Sequence, residues 1–110
     1  MSKNAYNTIL RELILQLFQY QEQWHGYDMA KKLKENSNGQ IEIKENRLYP
    51  ALHKLEQEGV LSSELVQVGN RSRKYYALTE NGTEEADAAF IKLSEMAQAL
   101  QLILKTKAHA

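Results

Sequence analysis

Tyr6, Ile9, Leu10, Leu13, Ile14, Leu17 and Phe18 recur at i, i+3, i+4, i+7 spacing and predict one amphipathic helix over residues 5–21. Residues 21–25 read as a connection. Tyr27, Met29, Ala30 and Leu33 carry a second, shorter helix over 26–35, closed by the turn formers Asn36-Ser37-Asn38-Gly39. Residues 40–44 alternate polar and isoleucine positions, the pattern of a very short strand that can pair with a hairpin. Leu48, Ala51, Leu52 and Leu55 then form the buried stripe of a third helix. Asn46 is its expected N-cap, Pro50 falls in its first turn, and Gly59 stops it. Two β-runs, 61–68 and 73–78, are joined by Gly69-Asn70-Arg71-Ser72. Either Thr79 or Asn81 caps a final helix that runs to about residue 105.

Along that final helix, Ala86, Phe90, Leu93, Ala97, Leu100 and Leu104 alternate steps of four and three, the a/d repeat of a helix-pairing seam. Ala89, Met96 and Ile103 widen it. A wide stripe also suits a helix packed on its own domain. Here it follows a unit that can close its core without it, so the pattern predicts a homodimer. Leu10, Leu13 and Leu17 of the first helix are expected to assist. Residues 1–79 are thus expected as one reading domain and 80–110 as a dimerisation helix, forming one compact unit.

A helix followed by a basic-tipped hairpin is the arrangement of a winged helix-turn-helix, a mainly α (α+β) fold. The helix presents Lys44, Asn46, Arg47, Tyr49, His53 and Lys54 away from its apolar stripe. The hairpin offers Asn70, Arg71, Ser72, Arg73 and Lys74, with no acid among them. In this motif the helix reads base edges and the hairpin grips the backbone. Arg47 has the reach for a bidentate contact to guanine, or else pairs with a nearby glutamate. Tyr75 and Tyr76 point to opposite sides of their strand, so one of them is core.

Composition sharpens this picture only in part. The formal net charge is +0, which taken alone argues against nucleic acid. The distribution is uneven: 69–74 is purely basic, while 80–95 holds Glu80, Glu84, Glu85, Asp87 and Glu95 against Lys92. A basic head on an acidic stem fits a DNA binder, although ordinary solvated faces give the same count. A length of 110 residues, 43% hydrophobic and 25% charged, suits one globular domain. There is no cysteine, no signal-peptide core in Met1–Tyr6, and no apolar run near the ~20 residues of a membrane span. The cytoplasm is the expected compartment. His25, His53 and His109 have no metal-ligand spacing, and neither a phosphate loop nor a nucleophile elbow is present, so no enzyme and no cofactor are expected.

Three fragments in register resemble the PadR family of bacterial transcriptional regulators. They are His25-Gly26-Tyr27-Asp28, the run Arg47-Leu48-Tyr49-Pro50-Ala51-Leu52-His53-Lys54-Leu55-Glu56-Gln57-Glu58-Gly59, and Arg73-Lys74-Tyr75-Tyr76-Ala77-Leu78-Thr79-Glu80-Asn81-Gly82. The resemblance spans residues 9–82. It implies a DNA-binding regulator, usually a repressor, dimeric through the last and first helices as in the shorter of two subfamilies. It also implies that Tyr49 meets the DNA backbone, whereas its position beside Leu48 and Leu52 equally suits core packing. Lys44-Glu45-Asn46-Arg47 stands where the family often has Ser, Pro and Gly, so the operator sequence does not carry over. Trp24 replaces a commonly smaller residue, and the last helix lacks the tryptophan with which some relatives stack drugs.

The expected partners are double-stranded DNA and a second copy of the chain. A small aromatic or apolar effector is a third candidate, lined by Tyr6, Phe18, Trp24, Phe90 and Met96, although all five also suit a plain core. The alternative function is a winged helix that binds a protein and not DNA, which neutral net charge permits.

Overall fold

Leu10, Ile14, Leu15 and Leu17 meet Trp24, Met29, Leu33, Leu48, Leu52, Leu55, Val60, Leu61 and Tyr76 in one buried cluster. Helices and sheet are built around it. The computed structural model describes residues 5–108, with side chains through Lys105; His109 lies outside the described residues. The first apolar stripe forms α1 (Leu10–Gln16) between two 3-10 turns, Tyr6–Ile9 and Leu17–Gln19, in place of one continuous helix. Tighter turns at helix ends are common, because i+3 bonds satisfy terminal groups. Here the Leu17 carbonyl accepts the Tyr20 N–H at 3.0 Å and the Trp24 indole N–H at 2.9 Å.

The third strand is not where the alternation at 40–44 puts it. That stretch is unpaired, and its Ile41 N–H goes to the Ser37 hydroxyl at 2.8 Å. Its alternation instead reflects Ile43 buried and Ile41 half-buried against the core. The strand is β1 (Trp24–His25), inside the expected connection, with Trp24 opposite Tyr76 and His25 opposite Tyr75. Two residues have no period to read, and the burial of Trp24 fixes their place.

Next come α2 (Gly26–Asn36) and α3 (Glu45–Gln57). Lys44, not Asn46, is the N-cap of α3, so Pro50 sits inside the helix and not in its first turn. The missing Pro50 N–H leaves the Asn46 carbonyl without its helical donor, on an exposed face where water can supply one. Gly59 ends α3 in a Schellman turn: φ is +77°, Val60 N–H reaches the Leu55 carbonyl at 2.9 Å, and Gly59 N–H reaches that of Glu56 at 3.1 Å.

The wing is β2 (Leu61–Val68) against β3 (Arg71–Leu78), antiparallel, in the sheet order β1-β3-β2. Its loop is only Gly69-Asn70, because Arg71 already pairs with Val68. Gly69 takes φ +62°, the first-position glycine of a two-residue hairpin turn. Thr79 then caps α4 (Glu80–Ala108), its hydroxyl oxygen accepting the Gly82 N–H at 2.9 Å. The same hydroxyl donates toward the carbonyls of Gly59, at 2.5 Å, and Val60, at 3.1 Å. Gly82 lies so close to this turn that a Cβ would stand 2.0 Å from the Val60 carbonyl oxygen.

Beyond that junction α4 touches α1 through polar ties: Lys92 to Glu12 at 3.0 Å, Arg11 to Glu85 at 3.2 Å, and Gln16 to the Ala86 carbonyl at 3.1 Å. Burial opposes ionisation of Glu12, but the Lys92 ammonium, a backbone N–H and Arg11 together hold the carboxyl below its usual range. Two residues expected at a dimer contact are committed elsewhere. Leu10 and Leu17 are 6% and 2% exposed within their own chain's core, whereas Leu13 is half-buried.

Thr79→Ala and Gly82→Ala separate the cap from the close approach. Loss of the cap should cost ~1 kcal/mol. The added methyl meets backbone that cannot swing aside, and should cost ~3 kcal/mol or more. Urea unfolding at one fixed protein concentration measures both, and equal costs would show that the Val60–Gly82 contact yields easily.

Candidate nucleic-acid interface

Leu48, Leu52 and Leu55 turn one face of α3 into the core. Helical geometry then aims Asn46, Pro50, His53 and Gln57 straight away from it. Arg47 and Lys54 flank that edge on one side, and Tyr49 and Glu56 on the other. Asn46, Arg47, Tyr49, His53 and Lys54 are all exposed, as is the cap residue Lys44. Among the described residues, Arg47 has no carboxylate partner, and neither do Lys44 and Lys54. The tip residues Asn70, Arg71 and Ser72 are exposed and Arg73 is half-buried; the Ser72 hydroxyl donates to the Gln67 side chain at 3.1 Å.

Lys74 behaves differently from the other wing cations. It shares a strand face with the buried Tyr76, so its ammonium turns back toward α3. There it meets Glu56 at 3.2 Å and lies 5.6 Å from the centre of the Tyr76 ring. Ser63 donates to the other Glu56 oxygen at 2.5 Å. The Ser63 bond and then Lys74 hold the Glu56 carboxyl below the usual carboxylate range. The bond to Glu56 in turn holds the Lys74 ammonium above the lysine range. Reading the hairpin alone missed this neutralising acid, which comes from the helix. The signal was in the strand period, since Lys74 and Tyr76 are two apart.

Tyr49 is 41% exposed, and its ring lies against Gly26 at the start of α2. Partial burial, and then the Glu45 carboxylate, push its phenol up; a phenol is protonated at neutral pH in any case, so the hydroxyl can donate. His25 packs its ring on Tyr75 at 5.9 Å between centroids, which identifies Tyr76 as the core member of the tyrosine pair.

The five aromatic and methionine residues expected around an effector do not share one cavity. Trp24 is 4% exposed and its indole is hydrogen-bonded into the core. Tyr6 and Phe18 are half-buried against that core, and Met96 is exposed. Phe18 and Phe90 alone come together, in an open groove of about 250 Å³ between the end of α1 and the start of α4. Along the seam, Ala86 and Leu93 are half-buried while Phe90, Ala97, Leu100 and Leu104 are exposed. No helix among the described residues is long and apolar enough to cross a membrane.

Comparison with known proteins fits this geometry. The profile described as the Transcriptional regulator PadR-like family matches residues 14–88, from α1 through the wing into α4. No curated protein sequence matches. Among solved structures, a Streptococcus mutans protein is 31% identical over 87% of this chain and 86% of its own, with TM-score 0.75. A PadR family transcriptional regulator from Eggerthella lenta is 31% identical over 86% and 81%, with TM-score 0.66. Bacillus subtilis PadR, solved in complex with operator DNA, is 30% identical over 76% of this chain and 47% of that one, with TM-score 0.68. A profile that spans helix, wing and junction, joined to structural relatives aligned over most of the chain, establishes that this protein belongs to the PadR-like family of transcriptional regulators.

Proposed function

We propose that this regulator binds a pseudo-palindromic operator as a homodimer, acts in the cytoplasm, and represses transcription. The observation that carries the DNA contact is the state of the cations. Among the described residues Lys44, Arg47, Lys54, Arg71 and Arg73, gathered on α3 and the wing, have no carboxylate partner, as Lys31, Lys32 and Lys105 have none elsewhere, whereas Arg11, Lys34, Lys74 and Lys92 are paired. Unpaired cations beside an exposed polar helix edge suit a phosphate-lined groove. The operator complex of the Bacillus subtilis relative supports the same reading. In this reading residues 1–79 hold the reader and 80–110 the dimerisation helix. The rival, a protein-binding winged helix, predicts no retention on mixed-sequence DNA at low salt.

The dimer rests on the exposed seam of α4. Phe90, Leu100 and Leu104 are 59%, 58% and 62% exposed, a contiguous apolar strip that water disfavours. Leu93→Glu with Leu100→Glu places like charges against their own copies. Sedimentation should shift toward the monomer; an unchanged dimer would put the interface elsewhere. Two identical reading helices also require half-sites about 10 bp, or a small multiple, apart. A single asymmetric footprint would contradict that.

Wing and helix divide the work in this account. Arg71→Ala with Arg73→Ala should weaken operator and mixed-sequence DNA alike, and flatten the salt dependence by roughly one unit per lost phosphate contact. Arg47→Ala should cost ~1–3 kcal/mol on the operator and little on other DNA. A wing variant that lost only operator binding would reverse the two assignments. A small aromatic effector suits the Phe18–Phe90 groove; a panel of phenolic compounds should then change the fluorescence of Trp24, whose indole is tied to the Leu17 carbonyl beside Phe18, and release DNA, and a flat response in both would remove the effector.

A further inference from the structure

Gly26 opens α2, is buried, and has no backbone reason to be glycine. Its φ is not in the left-handed region, which among the described residues is taken by Asn38, Gly39, Gly59 and Gly69. Glycine also weakens a helix relative to alanine. What excludes a side chain is Tyr49. A Cβ on Gly26 would lie 2.7 Å from Cε1 of the Tyr49 ring, 3.0 Å from its hydroxyl oxygen and 3.1 Å from Cζ. The obstacle is thus the far end of a side chain, which can swing, unlike the Val60 backbone that blocks Gly82. An added methyl at position 26 moves Tyr49 before it disturbs the fold.

We infer that Gly26 is a positioning residue for DNA binding: by having no side chain it seats the Tyr49 ring against the first turn of α2 and fixes the hydroxyl at the junction of the two helices. The inference rests on the reading that this surface binds DNA and that the Tyr49 hydroxyl donates to a phosphate. Among the described residues no hydrogen bond holds the hydroxyl. A phenol carries its proton at neutral pH, so what the site must supply is aim. Aim is what the Gly26 contact provides, because a ring pressed on a backbone atom loses most of its freedom about the side-chain torsions.

A double-mutant cycle on a labelled mixed-sequence duplex of about 30 bp at low salt tests this, since a phosphate contact needs no operator. Tyr49→Phe, which keeps the ring and removes the donor, should weaken binding roughly ten- to hundredfold, the loss of one hydrogen bond to a charged acceptor. Gly26→Ala should weaken it to a similar degree while the thermal midpoint moves little. The decisive value is the combination. Gly26→Ala added to Tyr49→Phe, or to Tyr49→Ala, should cause no further loss, because the hydroxyl it mis-aims is already gone. An equal further loss in those backgrounds would overturn the inference and assign Gly26 to the start of α2 itself. If Gly26→Ala does not fold alone, Tyr49→Ala opens the space, and the double variant should fold and bind as Tyr49→Ala does; a double variant that still fails to fold overturns it. Failure of the underlying reading looks different: the wild-type chain would not bind the duplex, or Tyr49→Phe would bind as tightly as wild type.

Discussion

The Val60 carbonyl is where reading helix, wing and long helix are fastened together. Gly59 and Val60 close α3 in a Schellman turn, Leu61 starts the wing immediately afterwards, and the returning strand brings Thr79 back to the same two carbonyls. Thr79 then caps α4 while Gly82 passes over Val60 with no room for a methyl group. The direction of a 29-residue helix relative to the reading edge is therefore set by four residues. If two copies pair along α4, any change at this junction is magnified along the helix into the separation of the two reading edges. The Lys92–Glu12 and Arg11–Glu85 ties brace the same angle from the α1 side.

Zero net charge conceals an arrangement that total charge cannot express. Acids of α1, α3 and α4 consume nearby cations, Glu12 taking Lys92, Glu58 and Glu85 taking Arg11, and Glu56 taking Lys74. Among the described residues, the reader's cations left without a carboxylate are Lys31 and Lys32 of α2, Lys44, Arg47 and Lys54 along α3, and Arg71 and Arg73 at the wing. Exposed ion pairs contribute little to stability on their own. Their larger effect here is to decide which cations are left for a polyanion. Lys74 illustrates it, since its position in the basic hairpin suggests a phosphate contact and its strand face gives it to Glu56 instead.

The long periodic segments were legible in the sequence because burial writes a 3.6-residue repeat wherever a helix faces a core. The stripes of α1, α3 and α4, the hairpin and the glycine stop at Gly59 all follow from that rule or from turn chemistry. The failures have local causes. Two-residue β1 carries no repeat, and the alternation of Ile41 and Ile43 is a packed linker that only imitates a strand. Asn46 is a better cap by residue type than Lys44, but the chain enters α3 two residues earlier, which also moves Pro50 inward. At the candidate site, the exposed polar edge was readable from spacing, and Tyr76 as the buried tyrosine was left open until the strand faces were known. The roles of Glu56 and Gly26 were not readable, because each depends on an element distant in sequence arriving within contact.

Backbone amide shifts of the full chain, titrated with a short mixed-sequence duplex, test the central claim most directly. The account predicts saturable shifts concentrated at residues 44–54 and 69–74 and at the start of α2, with the apolar seam of α4 unmoved. Shifts centred on α4, or none that saturate at low salt, would contradict it.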